Sequence, residues 1–445
     1  MALDGVNITG DRRRLEGLAS RGVGGGLLIA AIGIVASLML LVLAGEDPAP
    51  APGHEAGGGA HAAGGTGVQD PGAAHGGAAA PHASGHVTTW SPYHSYLVSA
   101  CFYLTIGLGA LFFVIIHHLT RAGWSTALRR IAEAVSLNLA LMALLFLPVI
   151  LPGGVGRLYK WAHPDPGDAL IAVKGAWLSS GWFAARILLY FAIWIAFSLF
   201  YHRQSVRQDE SGDMEITRRM ARLSPIACIL FAFSVTFASF DLLLSLDAHW
   251  FSTIFGVYFF AGCVVSFHSF LALIAFWLQQ NGRLESSITS AHYHDVGKMI
   301  FAFIVFWTYI AFSQYMLIWY ANLPEETGWY LRRQGTEGWT AASFVLLFGH
   351  FLLPFLLLLS RHVKRRKGAL AVAAVWVLLI HWFDIYYLVM PQVSAGGFRL
   401  RIIDAALFIA MGGLFLAATA WNLRGSALIP ERDPRLPESL AFENV

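Results

Sequence analysis

A carboxylate or imidazole inside an apolar run demands a reason. Burying a charged side chain at the centre of a bilayer costs at least about 2.5–3.5 kcal/mol on insertion scales. Asp241 stands in such a run, with Ser234 and Ser245 on the same helical face, and Asp247 follows at the end of the run. His381 and Asp384 are three residues apart and share a face. A carboxylate beside an imidazole is suited to passing a proton. His268, His350 and Tyr309 lie within other apolar runs, and His117, Glu133 and Lys298 lie at the ends of such runs. Together these ten residues mark a candidate proton path. The alternative is a set of buried polar groups that only tie helices together.

These residues sit in a chain of 445 residues that is 56% hydrophobic and 13% charged. A soluble domain carries about 25% charge, so one water-soluble core is excluded. Ten apolar runs reach the roughly 20 residues needed to cross a membrane as a helix. They fall at roughly 25–44, 93–116, 132–152, 181–202, 223–245, 252–280, 297–320, 341–360, 368–389 and 402–421. The expected fold is all-α and polytopic, with two four-helix bundles (spans 2–5 and 6–9) flanked by spans 1 and 10. Pro148 and Pro152 end the third span and Pro354 interrupts the eighth. A net charge of +3 gives no support to nucleic-acid binding. Cys101, Cys228 and Cys263 form no CxxC, so neither a metal site nor a disulfide is expected. There is no P-loop, GxSxG, HExxH or CxxCH.

Basic residues set the expected orientation. With the N-terminus inside, 22 of the 30 Lys and Arg residues fall on the cytoplasmic side, including Arg12, Arg13, Arg14 and the Arg361-to-Lys367 cluster. The resulting map has a cytoplasmic N-terminus (1–24), a first anchor (25–44) and a flexible Gly/Ala/His-rich periplasmic loop (45–92). The bundles (93–245 and 246–389), the last span (390–421) and a cytoplasmic tail (422–445) follow. The loop carries His54, His61, His75, His82 and His86, read as a low-complexity tether rather than a metal trap, because their spacing is irregular. The segments 153–180 and 321–340 mix aromatic, basic and turn residues and are expected to be structured docking surfaces.

Several stretches carry a family resemblance. Phe240-Asp241 with Ser245, Asp247 and Trp250-Phe251-Ser252-Thr253, then His294-Asp295-Val296-Gly297-Lys298, then Trp319-Tyr320-Ala321-Asn322-Leu323-Pro324-Glu325-Glu326-Thr327, resemble the F-type membrane subunit of alternative complex III. That family looks like the membrane subunits of polysulfide and nitrite reductases (NrfD-like). The resemblance spans roughly residues 93–390. It implies a subunit of a quinol:cytochrome c oxidoreductase in a bacterial inner membrane, without a redox cofactor of its own, serving as scaffold and proton path. Implied partners are a multihaem cytochrome c subunit, an iron–sulfur subunit, a homologous ten-span subunit and smaller membrane subunits, with haem and iron–sulfur clusters held by those partners. Menaquinone or ubiquinone is the implied substrate. If this chain itself takes quinone, His163, Asp165, Trp177 and Arg186 are the candidate residues, with His163 or Asp165 as the base.

Two other readings compete: a free-standing proton-coupled transporter and a haem b electron-transfer subunit. Transporters often carry matched helix breaks in two halves, which are lacking here. The two-histidines-per-helix pattern of dihaem cytochromes b is also absent. The purified chain alone is therefore expected to give a reduced-minus-oxidised spectrum without haem bands; a haem b band would replace the leading reading.

Overall fold

Long apolar segments satisfy their backbone in lipid only as helices or closed barrels. The computed structural model describes residues 17–43, 90–394 and 397–444, and among these it has helices and no strand. Arg12, Arg13, Arg14 and the histidines from His54 to His86 lie outside the described residues. Among the described residues, ten helices are long and apolar enough to cross a membrane. They are α1 (Leu18–Leu43), α2 (Pro92–Leu119), α3 (Thr126–Ile150), α4 (Ser180–Ser211), α5 (Met214–Leu246), α6 (Phe255–Gln280), α7 (Ser290–Ala321), α8 (Gly338–Leu359), α9 (Lys367–Val389) and α10 (Ile402–Leu423). Each matches one expected run, and the chain is an all-α polytopic membrane protein.

Helices α2–α5 pack on one another, as do α6–α9, and α2 against α6 joins the two sets. Small residues set the closest approaches, as packing in lipid requires. A Cβ on Gly109 would lie 2.0 Å from the carbonyl oxygen of Cys263. Helices α1 and α10 run antiparallel along a seam of Gly22, Gly26 and Gly33 facing Ala420, Ala417 and Ala410. At Gly26 a Cβ would stand 2.6 Å from the Ala417 nitrogen, and at Gly33 2.5 Å from that of Ala410.

Helix α8 is not uniform. Leu347–Leu352 forms a π turn between two α-helical segments. Pro354 follows, and a proline has no N–H for the i−4 carbonyl and clashes with it. The wider turn accommodates that mismatch. One carbonyl of the turn finds an outside donor, the Trp376 indole N–H, which bonds to the Gly349 oxygen at 2.8 Å.

The two membrane faces differ. On the loop face, the helix Pro324–Gln334 has Glu325 and Glu326 in its first turn and Arg332 and Arg333 in its last, matching its dipole. Trp329 anchors it by stacking on Trp250 with ring centroids 4.4 Å apart. Arg333 is fully buried and bonds to the carbonyls of Tyr387 (3.2 Å), Leu388 (2.8 Å) and Trp329 (3.0 Å), capping the C-terminal end of α9. No carboxylate pairs with it among the described residues, and burial pulls its pKa down to about 9. On the opposite, tail face, residues 424–444 fold back over the helix ends. Arg129 pairs with Asp433 at 2.7 Å, and Ser439 donates to the Trp124 carbonyl at 2.7 Å and lies 3.1 Å from His292 Nε2.

The α1–α10 seam gives a direct test. A disulfide between Gly22→Cys and Ala420→Cys is expected to form in the otherwise unaltered chain. It should be lost when Gly26→Leu and Gly33→Leu wedge the helices apart, while the remaining helices keep their far-UV signal. Undiminished cross-linking would show that the seam does not hold α1.

Candidate functional site

Helix α6 presents Tyr258, Gly262 and Ser266 four residues apart, hence on one face. His381 and Asp384 of α9 pack against that face. Gly262 makes the room, since a Cβ there would lie 2.5 Å from Cε1 of His381. Thr105 reaches the same point from α2, and His350 arrives from the π turn of α8. All these side chains are buried.

The hydrogen bonds settle who donates. The Tyr258 hydroxyl donates to Asp384 Oδ1. The Thr105 hydroxyl donates to the Phe102 carbonyl at 2.6 Å, so it accepts from His381 Nε2 at 3.2 Å; the single hydrogen of Ser266 Oγ is shared between Thr105 Oγ1 and the Cys263 carbonyl, each at 3.1 Å. The neutral His381 ring thus carries its hydrogen on Nε2 and leaves Nδ1 bare, an assignment that follows from the network. Nδ1 faces Asp384 Oδ2 at 3.7 Å, and neither atom has a hydrogen-bond partner. Both ring nitrogens of His350 are also unpartnered, and its ring lies over Trp307 at 3.9 Å. Donor atoms of His350, His381 and Asp384 all come within 4.8 Å of one another. Four buried atoms of this cluster, His381 Nδ1, Asp384 Oδ2 and both nitrogens of His350, thus have no hydrogen-bond partner among the described residues.

Asp241 is held differently. Arg186 grips it with two bonds, Nε to Oδ2 at 2.9 Å and a terminal nitrogen to Oδ1 at 2.7 Å. The Tyr190 hydroxyl adds a bond at 3.0 Å and the Trp177 indole another at 3.2 Å. The guanidinium also lies 4.0 Å from the Trp177 ring centre and bonds to its carbonyl. Every oxygen is occupied and the charge is matched, as a buried carboxylate requires. Asp241, Trp177 and Arg186 therefore form one closed ion-pair site, although the sequence reading divided them between a proton path and a quinone site.

The other singled-out residues fall into separate places. His268 and His117 flank Phe113, with ring centroids 5.5 and 3.9 Å from it, and each bonds by Nδ1 to a backbone carbonyl of its own helix. Glu133 pairs with Arg130 at 3.2 Å near His202 at 3.7 Å. Lys298 pairs with Asp295 at the tail-face end of α7. Asp247 pairs with Arg332 on the loop face. Tyr309 is 64% exposed on the outer side of α7. His163 and Asp165 are exposed in the loop after α3, away from the Asp241 site's hydrogen bonds. The line thus runs Tyr258, Asp384, His381, Thr105, Ser266, with a 3.7 Å gap and no hydrogen bond between Asp384 and His381. His117 lies about 18 Å further along α2 from Thr105 at 1.5 Å per residue, and no described hydrogen bond joins it to that line.

Tyr258, Thr105 and Ser266 escaped the sequence reading. A signal existed in α6: a tyrosine, a glycine and a serine at successive fours inside an apolar run mark a face that both approaches another helix closely and bonds to it. Outside the membrane, Asp168 caps Ala169–Lys174 through the Ile171 N–H at 3.1 Å, and that bond, with His249 at 2.8 Å, holds its carboxyl below the usual range. No protein-family model matches the chain, and no curated protein matches it either.

The two carboxylates should respond oppositely to substitution. Arg186→Gln leaves the Asp241 charge buried and unpaired, a loss of about 3–5 kcal/mol, and should sharply lower Tm and yield in detergent. Asp384→Asn removes a charge that has no Arg or Lys partner and keeps the Tyr258 bond, so Tm should change little. Equal loss in both variants would place Asp384 among the structural carboxylates.

Proposed function

We propose that this chain is a membrane subunit of a quinol-oxidising complex of the alternative complex III type, contributing scaffold and a proton path rather than a redox cofactor. The observation that carries the reading is the unpaired Asp384–His381 couple, bonded to Tyr258 on one side and to Thr105 and Ser266 on the other. Among Glu133, Asp241 and Asp384, only Asp384 lacks an Arg or Lys partner. A carboxylate so placed binds and releases a proton without breaking an ion pair. The line would begin at Tyr258 near the loop-face end of α6 and pass a proton from Asp384 to His381 Nδ1 while Nε2–H is held by Thr105. Beyond Ser266 the route to the His268–His117 pair needs bridging water. The resemblance to alternative complex III membrane subunits implies the rest: a multihaem cytochrome c, an iron–sulfur subunit and a homologous ten-span subunit as partners, and a bacterial inner membrane with both termini in the cytoplasm. The structured loop face, where Trp329 and Arg333 fix the helix Pro324–Gln334, offers those partners a firm surface.

Native purification in mild detergent, with every co-purifying chain identified, tests the assignment. The multihaem cytochrome c, the iron–sulfur protein and the second ten-span chain should appear together; a chain isolated alone or as a homo-oligomer would sink it. In the complex, Asp384→Asn is expected to lower proton release per quinol oxidised, with electron transfer less affected. Unchanged proton release would remove Asp384 from any path.

A further inference from the structure

Behind the Asp384 couple lies a cavity of about 850 Å³ between α6, α7, α8, α9 and the helix Pro324–Gln334. It falls within the range of small-molecule sites. Its inner wall carries Tyr258, Trp307, Gln314, Tyr330, Ser343 and Tyr387. Three features describe what would fit. The walls are aromatic faces, which favour a flat ring. The inner end is polar: the Tyr258 oxygen, already donating to Asp384, is free to accept, and the buried Trp307 indole N–H has no partner. The rim includes Tyr309, Phe312, Phe344 and Leu347, all about half exposed or more on the outer sides of α7 and α8, where a helix bundle meets lipid. A water-soluble ligand has no reason to enter there, whereas a molecule dissolved in the bilayer does.

We propose that this cavity binds the ring of a membrane-soluble lipophile bearing a carbonyl or hydroxyl oxygen, with its hydrocarbon tail leaving between α7 and α8. The ring hydroxyl would donate to Tyr258, and a ring carbonyl would accept from Trp307. The site lies in the second four-helix set, away from His163, Asp165, Trp177 and Arg186. For the identity of the ring as a quinol, the inference rests on the function proposed above; for the site and the kind of ligand, it rests on the cavity alone.

The test uses the full chain in detergent and a photoreactive azido-naphthoquinone with a decyl tail. Label should map to residues of α7 and α8, and unlabelled decyl-naphthoquinone should displace it at least about tenfold better than didecanoyl phosphatidylcholine. Ala311→Trp fills the cavity and should abolish labelling. Because that variant risks misfolding, Trp307→Phe serves beside it: it keeps an aromatic ring, removes the N–H from which a quinone carbonyl would accept, and should weaken displacement by about tenfold. Label elsewhere, equal displacement by the phospholipid, or full binding by both variants would overturn the proposal. Labelling is read without quinol turnover, so the outcome is independent of proton release. Retained labelling in a chain that assembles with no redox partner would leave the ring site standing and remove the quinol-oxidising role.

Discussion

The structure turns on how each ionisable group buried between helices is neutralised. In a low-dielectric interior an unmatched charge is costly, so a carboxylate is either paired, as Asp241 and Glu133 are, or free to be protonated. The first solution makes a rivet. The three side chains around Asp241 join α4, α5 and the loop before α4, and the Arg130–Glu133 pair with Asp209 ties α3 to α4 near the tail face. The second solution needs a site that tolerates two protonation states. In the function proposed above Asp384 takes that part: Tyr258 bonds to one oxygen and the other faces the bare nitrogen of His381. One half of the protein is thus fastened by charge, while the other keeps a charge-bearing group uncommitted.

Spans were legible because hydropathy and length act locally, and a run of apolar residues has one way to satisfy its backbone in lipid. Contacts within one helix were legible for the same reason. His381 and Asp384 at three residues' spacing do share a face and do meet. Pro354 announced an interruption, and a π turn stands just before it. Pairings between helices were not legible. Arg186 lies 55 residues from Asp241, and nothing in either neighbourhood states that they meet. The two were therefore assigned to different candidate sites, although they are partners in one ion pair. The bonds of the tail were not legible either: Asp433 and Ser439 make buried bonds to Arg129 and Trp124, 304 and 315 residues away.

Loop-face order follows from the same economy of polar groups. The last carbonyls of α9 have no partner within their own helix. Arg333 reaches them from another segment, and Trp329 shields its guanidinium at 3.2 Å. The cap is therefore also the roof beside the aromatic cavity, and the helix Pro324–Gln334 cannot shift without exposing both the arginine and the end of α9.

The π turn has a consequence of another kind. Such a turn is an α-helix with one residue too many, and each helical residue turns the chain by about 100°. Were one residue of Leu347–Leu352 absent, a regular helix would swing His350 off the Asp384 side or turn everything beyond Leu353 to a new face. A single-residue insertion in an ordinary span is enough to create that imidazole's position. Chains of this architecture can therefore differ in whether they possess the third member of the cluster while matching closely at every other residue of the span.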